Sequence, residues 1–487
     1  MTPSASASAS ASVRVRVRRR RLLPAVLALA LAGCVGADID RSLATTNAQA
    51  QAFTDGRLRL DRTDGERAAA RAAAGELLRA PLGQQQAVQL ALVNDPALQA
   101  LVAQRWADGA RASQTARIAN PVFGFSRMRT GGELEFERVL AFGLLDLVTL
   151  PLRHRVATRL VERNQAQLTA DVVARVTQVR QAWVQAVAAG QMLQYARQVQ
   201  ESAEAGAELA RRMQSVGNFN RLARARQQLF YADATTQLAI AQHAALAARE
   251  ALVRSLGLSD EQARAMTLPD RLPDLPASPR APEEVGRAAG ERRLDVQIAR
   301  SALAAAASAQ GLALVESLTD IELGVVRKTV FDDDAGTRSI GRGVEVSVRL
   351  PLFDWGAATR AAMNAQTLAA LNGMEAVMRA AGSTLREHYS AYRTAYDIAK
   401  HLRDEVVPLR ESIAEENLLR YNGMLIGVFE LLADSREQVR SVTAAIEAAR
   451  QFWVADAALA ASVIGRPVVT TIGPAGTNEQ AGGDAAH

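Results

Sequence analysis

One set of landmarks runs through this chain twice, and such a duplication constrains the fold more than any single motif. Leu150-Pro151-Leu152 opens a long helical stretch, and Leu350-Pro351-Leu352 opens another 200 residues later. Gln214-Ser215-Val216-Gly217-Asn218 interrupts the first stretch and Arg420-Tyr421-Asn422-Gly423 the second, with 206 residues from glycine to glycine. The stretches end at Leu256-Gly257 and Ile464-Gly465, 208 residues apart. Upstream, Asn94-Asp95-Pro96-Ala97-Leu98 corresponds to Arg293-Leu294-Asp295-Val296. Between the copies, Pro269, Pro273, Pro276, Pro279 and Pro282 mark a semi-rigid, extended linker.

Each copy has the same internal order. A helix over about 84–118, and again over about 283–314, leads into strand-like sequence. The first strand pair is expected from about Pro121 to Ser126 and from Glu133 to about Leu150, around the turn Thr130-Gly131-Gly132. The second is expected from about Thr319 to Val330 and from about Gly343 to Leu350, around the polar turn Asp332–Gly336. Val344, Val346 and Val348 alternate with Glu345, Ser347 and Arg349, the period of a strand with two different faces. Pro151 and Pro351 then fall just before or at helix starts, where a missing N–H costs nothing. From Leu152 to Gln214 is about 63 residues, roughly 95 Å of helix at 1.5 Å per residue. A globular domain does not need such a length; an object crossing a compartment does. Gly217 and Gly423 offer the positive φ that reverses the chain between antiparallel helices, and Pro408 predicts a kink or break in the penultimate helix. Aromatic residues are only 4% of the chain while 49% is hydrophobic, which favours closely packed alanine-rich helices over a β-sandwich or a large α/β enzyme.

The amino end reads as an export signal. Arg14, Arg16 and Arg18 to Arg21 precede the short apolar stretch Leu22–Ala32. It ends in Leu31-Ala32-Gly33-Cys34, which resembles the bacterial lipobox, with the single cysteine of the chain at the lipidated position. That resemblance implies lipidation at Cys34, and Val35 in place of aspartate implies sorting to the outer membrane. Arg20-Arg21 also admits a twin-arginine reading, and translation could start after the Ser/Ala run 2–12. The chain's +6 charge follows from the same segment. Its six arginines removed, 51 basic residues face 51 acidic ones, and the nucleic-acid partner suggested by a pI near 9.9 drops out.

Pro81-Leu82-Gly83-Gln84, the tract Ala87–Leu98, Asn120-Pro121, Leu350–Gln366 and Arg420–Arg436 together resemble the TolC family of outer-membrane efflux proteins. Leu350-Pro351-Leu352-Phe353-Asp354-Trp355-Gly356 is similar to that family's strand-to-helix junction. Tyr421-Asn422-Gly423 with Val428–Asp434 is similar to its periplasmic helix tip. The resemblance covers roughly 80–466. It implies a mainly α chain with a membrane β-barrel portion: long antiparallel coiled-coil helices plus four strands per protomer, a duplicated unit in a homotrimeric barrel and tunnel. The first copy departs from the pattern at Pro151-Leu152-Arg153-His154-Arg155, and the glycine of Tyr421-Asn422-Gly423 comes one position earlier than the family's spacing. The expected division is a signal peptide over 1–33, a lipidated segment over 34–80 and a first repeat over 81–268. The linker over 269–282, a second repeat over 283–466 and a flexible tail over 467–487 follow. A strand exposed to lipid needs every backbone group paired, and four strands cannot close a barrel of useful diameter alone, so trimerisation would supply the rest. Phe123, Phe125, Phe136 and Phe142 read equally as an aromatic girdle or as plain strand residues.

Chemistry is sparse. The five histidines, His154, His243, His388, His401 and His487, form no ligand-spaced cluster and read as helix-surface residues. No phosphate-binding loop or nucleophile elbow is present, so no enzyme, cofactor or metal is expected. Asp332 to Asp334 reads as a solvated turn. The functional residues are expected to be those of a gated passage. Glu430 and Asp434, at i and i+4, would form acidic rings if they face inward in a trimer, and are otherwise an ordinary solvated face. Arg221, Arg224 and Arg226 would pair with them to hold the gate shut. The exposed tips at Gly217, Asn218, Phe219, Gly423, Met424 and Leu425 are the expected docking points of a periplasmic adaptor, itself joined to an inner-membrane pump. The alternative is a periplasmic coiled-coil scaffold lipoprotein without a pore. It has no use for strand pairs at matching places in both copies.

Overall fold

The computed structural model describes residues 38–290, 293–316, 320–332, 335–350 and 352–467. Cys34, Pro351, Asp333, Asp334, His487, the signal segment and the tail from 468 onward lie outside the described residues. The elements in chain order are α1 (Ile39–Thr54), α2 (Asp64–Leu77), α3 (Gln84–Asn94), α4 (Pro96–Gln114), β1 (Val122–Thr130), β2 (Glu133–Gly143), α5 (Leu144–Ser215), α6 (Arg221–Leu256) and α7 (Asp260–Ala265). Then come α8 (Pro282–Gly290), α9 (Leu294–Glu316), β3 (Ile321–Asp332), β4 (Thr337–Val348), α10 (Ala357–His401), a π-helical turn (Leu402–Val406), α11 (Val407–Asn422) and α12 (Val428–Ile464). They fall into two units. A strand unit takes 110–158 and 315–355, and a helical unit takes the remainder.

In the strand unit the four strands form one antiparallel sheet in the order β1-β2-β3-β4. Their lengths, 9, 11, 12 and 12 residues, suit a membrane-spanning strand of about 9–11 residues. Both hairpins turn at a glycine of positive φ, Gly131 and Gly336. Several expected boundaries move, and β1 runs on to Thr130 rather than ending at Ser126. β2 stops at Gly143 rather than near Leu150, and α5 begins at Leu144, so Pro151 sits inside the helix, two turns from its start. The run Leu144–Leu150 is apolar in any period, which leaves helix and strand unresolved by pattern alone. Asp146 in the first turn favours helix, as a carboxylate at the positive end of the macrodipole, and it holds Arg153 at 2.6 Å. β4 begins at Thr337, six residues before the expected Gly343.

The long element is α5, 72 residues, which belongs to the helical unit from Arg159 onward. Leu168, Val172, Val173, Val176, Val179, Trp183, Val184 and Val187 recur at three- and four-residue spacing and bury one stripe. They pack with Leu90 and Leu92 of α3, Leu98 and Val102 of α4, and Leu252 and Leu256 of α6. Trp183 donates its indole N–H to the Leu82 carbonyl at 2.7 Å. The single helix expected over 84–118 is two, because Pro96 excludes Asp95 from helical geometry; Asp95 is extended and its Oδ1 caps Ala97 N at 2.9 Å. Residues 38–60 belong to this core: Thr46 and Thr169 share a hydrogen bond at 3.3 Å, and the Arg180 guanidinium lies over the Phe53 ring at 4.4 Å.

A second cluster joins α8, α10 and α12 around Tyr392, Tyr396 and Phe452. It also fixes the proline-rich linker. Trp453 donates to Pro273 O at 3.1 Å, Tyr396 to Pro276 O at 3.1 Å and Ala277 O at 3.0 Å, and Tyr389 to Arg280 O at 3.1 Å. Arg280 N donates to the Tyr392 hydroxyl at 3.2 Å, and the Arg280 side chain pairs with Asp456 at 2.9 Å. Burial pushes the Asp456 carboxyl up, against the opposing pull of Arg280 and Arg180. His388 departs from the expected surface role: it is buried on α10, and burial pushes its imidazole down, toward the neutral form. The break expected at Pro408 takes the form of the π-helical turn just before it. Proline has no N–H for the carbonyl four residues back, and a wider turn accommodates that loss.

Candidate functional site

The two helix reversals of the helical unit are built alike. In the first, Asn218 N donates to Met213 O at 2.9 Å and Gly217 N to Gln214 O at 3.0 Å. In the second, Leu425 N donates to Arg420 O at 2.8 Å and Met424 N to Tyr421 O at 3.0 Å. Both are Schellman-type endings, which put one residue in left-handed geometry. In the first it is Gly217, φ +82; in the second it is Met424, φ +59, while Gly423 before it has φ −78. The expectation for Gly423 is therefore corrected by one position. The structural equivalent of Gly217 is Met424, 207 residues on, consistent with the 208 that separate the Gly257 and Gly465 caps. A side chain in this geometry costs about 1–2 kcal/mol, so Met424→Gly is expected to stabilise the second reversal by about 1 kcal/mol. Slower amide exchange at residues 419–427 would register the gain, and unchanged exchange there would contradict it.

The tips differ in exposure. Met424 is 92% and Leu425 78% exposed, and Gly217 and Asn218 are also exposed. Phe219 is not: it packs with Ala210, Ala223 and Met213, so it holds the reversal together rather than offering a docking contact. Among the described residues, the gate candidates do not pair as expected. Asp434, its side chain only 12% exposed, lies 4.0 Å from Arg410 of α11, which also approaches Glu437 at 3.8 Å. Arg224 donates instead to Gln214 at 2.7 Å across the first reversal. Arg221 and Glu430 are exposed and are not brought together. Near the reversals α6 and α12 are linked by Arg436, which donates to Arg226 O at 3.3 Å and lies 4.6 Å over the Phe230 ring. Neither Arg410 nor Arg436 was legible as a partner, since both contacts depend on how the helices lie side by side.

The register of the sheet sorts the strand unit into two chemical faces. Phe123, Phe125, Leu140, Phe142, Ile321, Leu323, Val325, Val344, Val346 and Val348 fall on one face. Gly124, Ser126, Glu133, Glu135, Glu137, Glu322, Gly324, Lys328, Gly341, Gly343 and Glu345 fall on the other. Lys328 meets Glu135 there at 2.6 Å. All four girdle candidates lie on the apolar face, with Phe125 and Phe136 6.1 Å apart. At the strand-to-helix end, Leu144, Leu147, Val148, Leu350, Leu352, Phe353 and Trp355 are exposed apolar residues. Gly356, φ +71, starts α10 there. Of these apolar residues, Trp355 is of a type enriched at membrane–water interfaces.

A helical unit with duplicated reversals, joined to a four-stranded sheet of spanning length, is the fold of the TolC-type outer-membrane channels. No protein-family model matches the chain, and no curated protein matches it in sequence. Solved structures share the fold. A membrane protein from Pseudomonas aeruginosa is 20% identical over 80% of this chain and 93% of its own, with a TM-score of 0.65. The outer-membrane channel OprN is 18% identical, covering 85% of this chain and 95% of its own, at 0.63. The MtrE outer-membrane channel of Neisseria gonorrhoeae, in its open state, is 19% identical, covering 80% and 91%, at 0.61.

Proposed function

We propose that the chain is the outer-membrane channel of a tripartite efflux or secretion system: a passive, homotrimeric exit duct. The observation that carries this reading is the sheet. Its four strands end in two unpaired edges, β1 and β4, yet have one apolar and one polar face. In lipid an open edge is not tolerated, and because β1 and β4 run in opposite directions, three copies join edge to edge into a closed twelve-stranded antiparallel barrel. The polar face then lines the lumen. The signal over 1–33, lipidation at Cys34, the repeats over 81–268 and 283–466, and an adaptor and pump as partners belong to the same proposal. Energy comes from the pump. The duct forms no bond and needs no cofactor.

The test is reconstitution. Purified protein is expected to run as a heat-modifiable trimer and to conduct in planar bilayers; a monomer without conductance overturns the channel and leaves the scaffold lipoprotein. Within the channel reading, Glu430 is assigned to the constriction as an exposed acid near the reversal. Asp434 is assigned to closure through Arg410. Glu430→Gln is expected to lower cation selectivity at least about two- to threefold, because the substitution falls in every protomer and removes all three charges of the ring. Selectivity identical to wild type would remove Glu430 from the passage. Met424, Leu425, Gly217 and Asn218 are the proposed adaptor contacts, checked by photo-cross-linking from position 425 in cells.

A further inference from the structure

The apolar face of the sheet carries a charge pattern that a passive lipid wall does not require. Arg138, Arg327 and Arg342 stand directly opposite one another on β2, β3 and β4, in one row across the sheet. Arg127 lies one row nearer the hairpin turns on this face, and Arg129 and Arg338 two rows nearer. All six are exposed. Among the described residues, Arg138, Arg327 and Arg342 make no ion pair, while the acids of the sheet lie on the opposite face. Arg127 lies 5.9 Å over Phe136, and Arg338 5.4 Å over Phe331.

Directly opposed like charges destabilise a sheet, so a row of three arginines calls for a counter-charge from outside the chain. Height says where it must be. This step rests on the channel reading above. Below the arginines are three apolar rows: Ile321 with Val348, Phe142 with Leu323 and Val346, and Phe123 with Leu140, Val325 and Val344. At about 3.4 Å per residue and a tilt near 40°, three rows cover only about 15 Å of an apolar band about 25 Å tall. The arginine rows therefore enter the outer part of that band. Phe136, Leu134, Ile340 and Phe331 are interleaved with them. Guanidinium groups are unfavourable in hydrocarbon unless they reach an anionic headgroup, and phosphate matches their fork of donors.

We propose that this arginine belt binds the net-anionic, phosphate-bearing headgroups of lipids in the outer leaflet, with Arg138, Arg327 and Arg342 as its inner row. The lipid phosphates supply the missing counter-charge, and the aromatic rings support the guanidinium planes and the acyl-chain boundary. Three protomers would repeat the row around the barrel.

The test uses the full-length trimer in neutral detergent, with diphosphorylated lipid A, phosphatidylcholine and inorganic phosphate as separate additions. Lipid A is expected to raise the trimer dissociation temperature and to remain bound in native mass spectrometry; phosphatidylcholine and inorganic phosphate are not. The triple variant Arg138→Gln/Arg327→Gln/Arg342→Gln is expected to bind lipid A at least about tenfold more weakly, given the strength of charge-assisted hydrogen bonds. Glu133→Gln/Glu137→Gln, on the other face, should bind as wild type. Equal binding by the triple variant, equal stabilisation by phosphatidylcholine, or displacement by inorganic phosphate overturns the proposal. If the triple variant does not assemble, Arg342→Gln alone and the salt dependence of the wild type are read instead, and indifference of both overturns it. A wild type that forms no conducting trimer fails the channel reading; a conducting trimer without lipid A preference fails this proposal alone.

Discussion

Replacing Gly257 or Gly465 by alanine is expected to destabilise the helical unit by about 2–5 kcal/mol. Two costs add: a Cβ in left-handed geometry, about 1–2 kcal/mol, and an overpacked contact, about 1–3 kcal/mol. Gly257 has φ +63, and its Cβ would fall 2.4 Å from Pro96 Cδ and 2.8 Å from Asp95 Cα. Gly465 has φ +87, and its Cβ would fall 2.6 Å from Asp295 Oδ1 and 2.8 Å from Leu294 N. Backbone cannot move aside as a flexible side chain can. Gly217 is the control: it shares the positive φ, +82, but nothing lies within 4 Å of its added Cβ. Gly217→Ala should cost only the left-handed term, about 1–2 kcal/mol. Denaturation curves on all three variants decide the matter, and equal losses at 217, 257 and 465 would refute the role of close approach.

Arg175→Met is expected to cost about 3–5 kcal/mol, the usual result of leaving one member of a buried pair alone. Asp95 is 1% exposed, and its Oδ2 takes a 2.7 Å hydrogen bond from Arg175 Nε. The same guanidinium donates to Ser255 O at 3.1 Å, so one arginine ties the α3–α4 junction to the end of α6. Adding Asp95→Asn removes the stranded charge while keeping an oxygen for Ala97 N, and should recover part of the loss. A double variant no more stable than Arg175→Met would show that packing of the arginine stem, not charge, carried the effect. The second copy keeps the carboxylate but changes its partner: Asp295 is held by Arg293, two residues before it, at 2.7 Å.

These sites explain what the sequence disclosed. The duplication was visible because helix ends are written locally, in glycines and prolines whose geometry needs no knowledge of neighbours. The exceptions are equally physical. Gly423 was a reasonable choice for the left-handed residue, but the hydrogen bonds of the reversal place Met424 there. The first half of β4 was missed because Arg338 and Arg342 occupy positions on the apolar face and erase the period-two signal that Val344–Val348 retain. The partner of Asp434 was missed because Asp434 and Arg410 meet across two helices, and no spacing rule reaches 24 residues. Tyr389, Tyr392 and Tyr396 were not singled out, because their hydroxyls serve a linker far away in sequence.

That linker changes how the duplicated gene product can vary. A connection between repeats is ordinarily where length drifts most freely, since slack there costs little. Here five hydrogen bonds and an ion pair peg 273–280 to successive turns of two helices. One residue added or deleted between Pro273 and Arg280 would put the pegs on its two sides out of step with each other. Evolution has thus converted the most forgiving stretch of a tandem repeat into a ruler, and homologous exchange of the two halves would have to preserve its graduations.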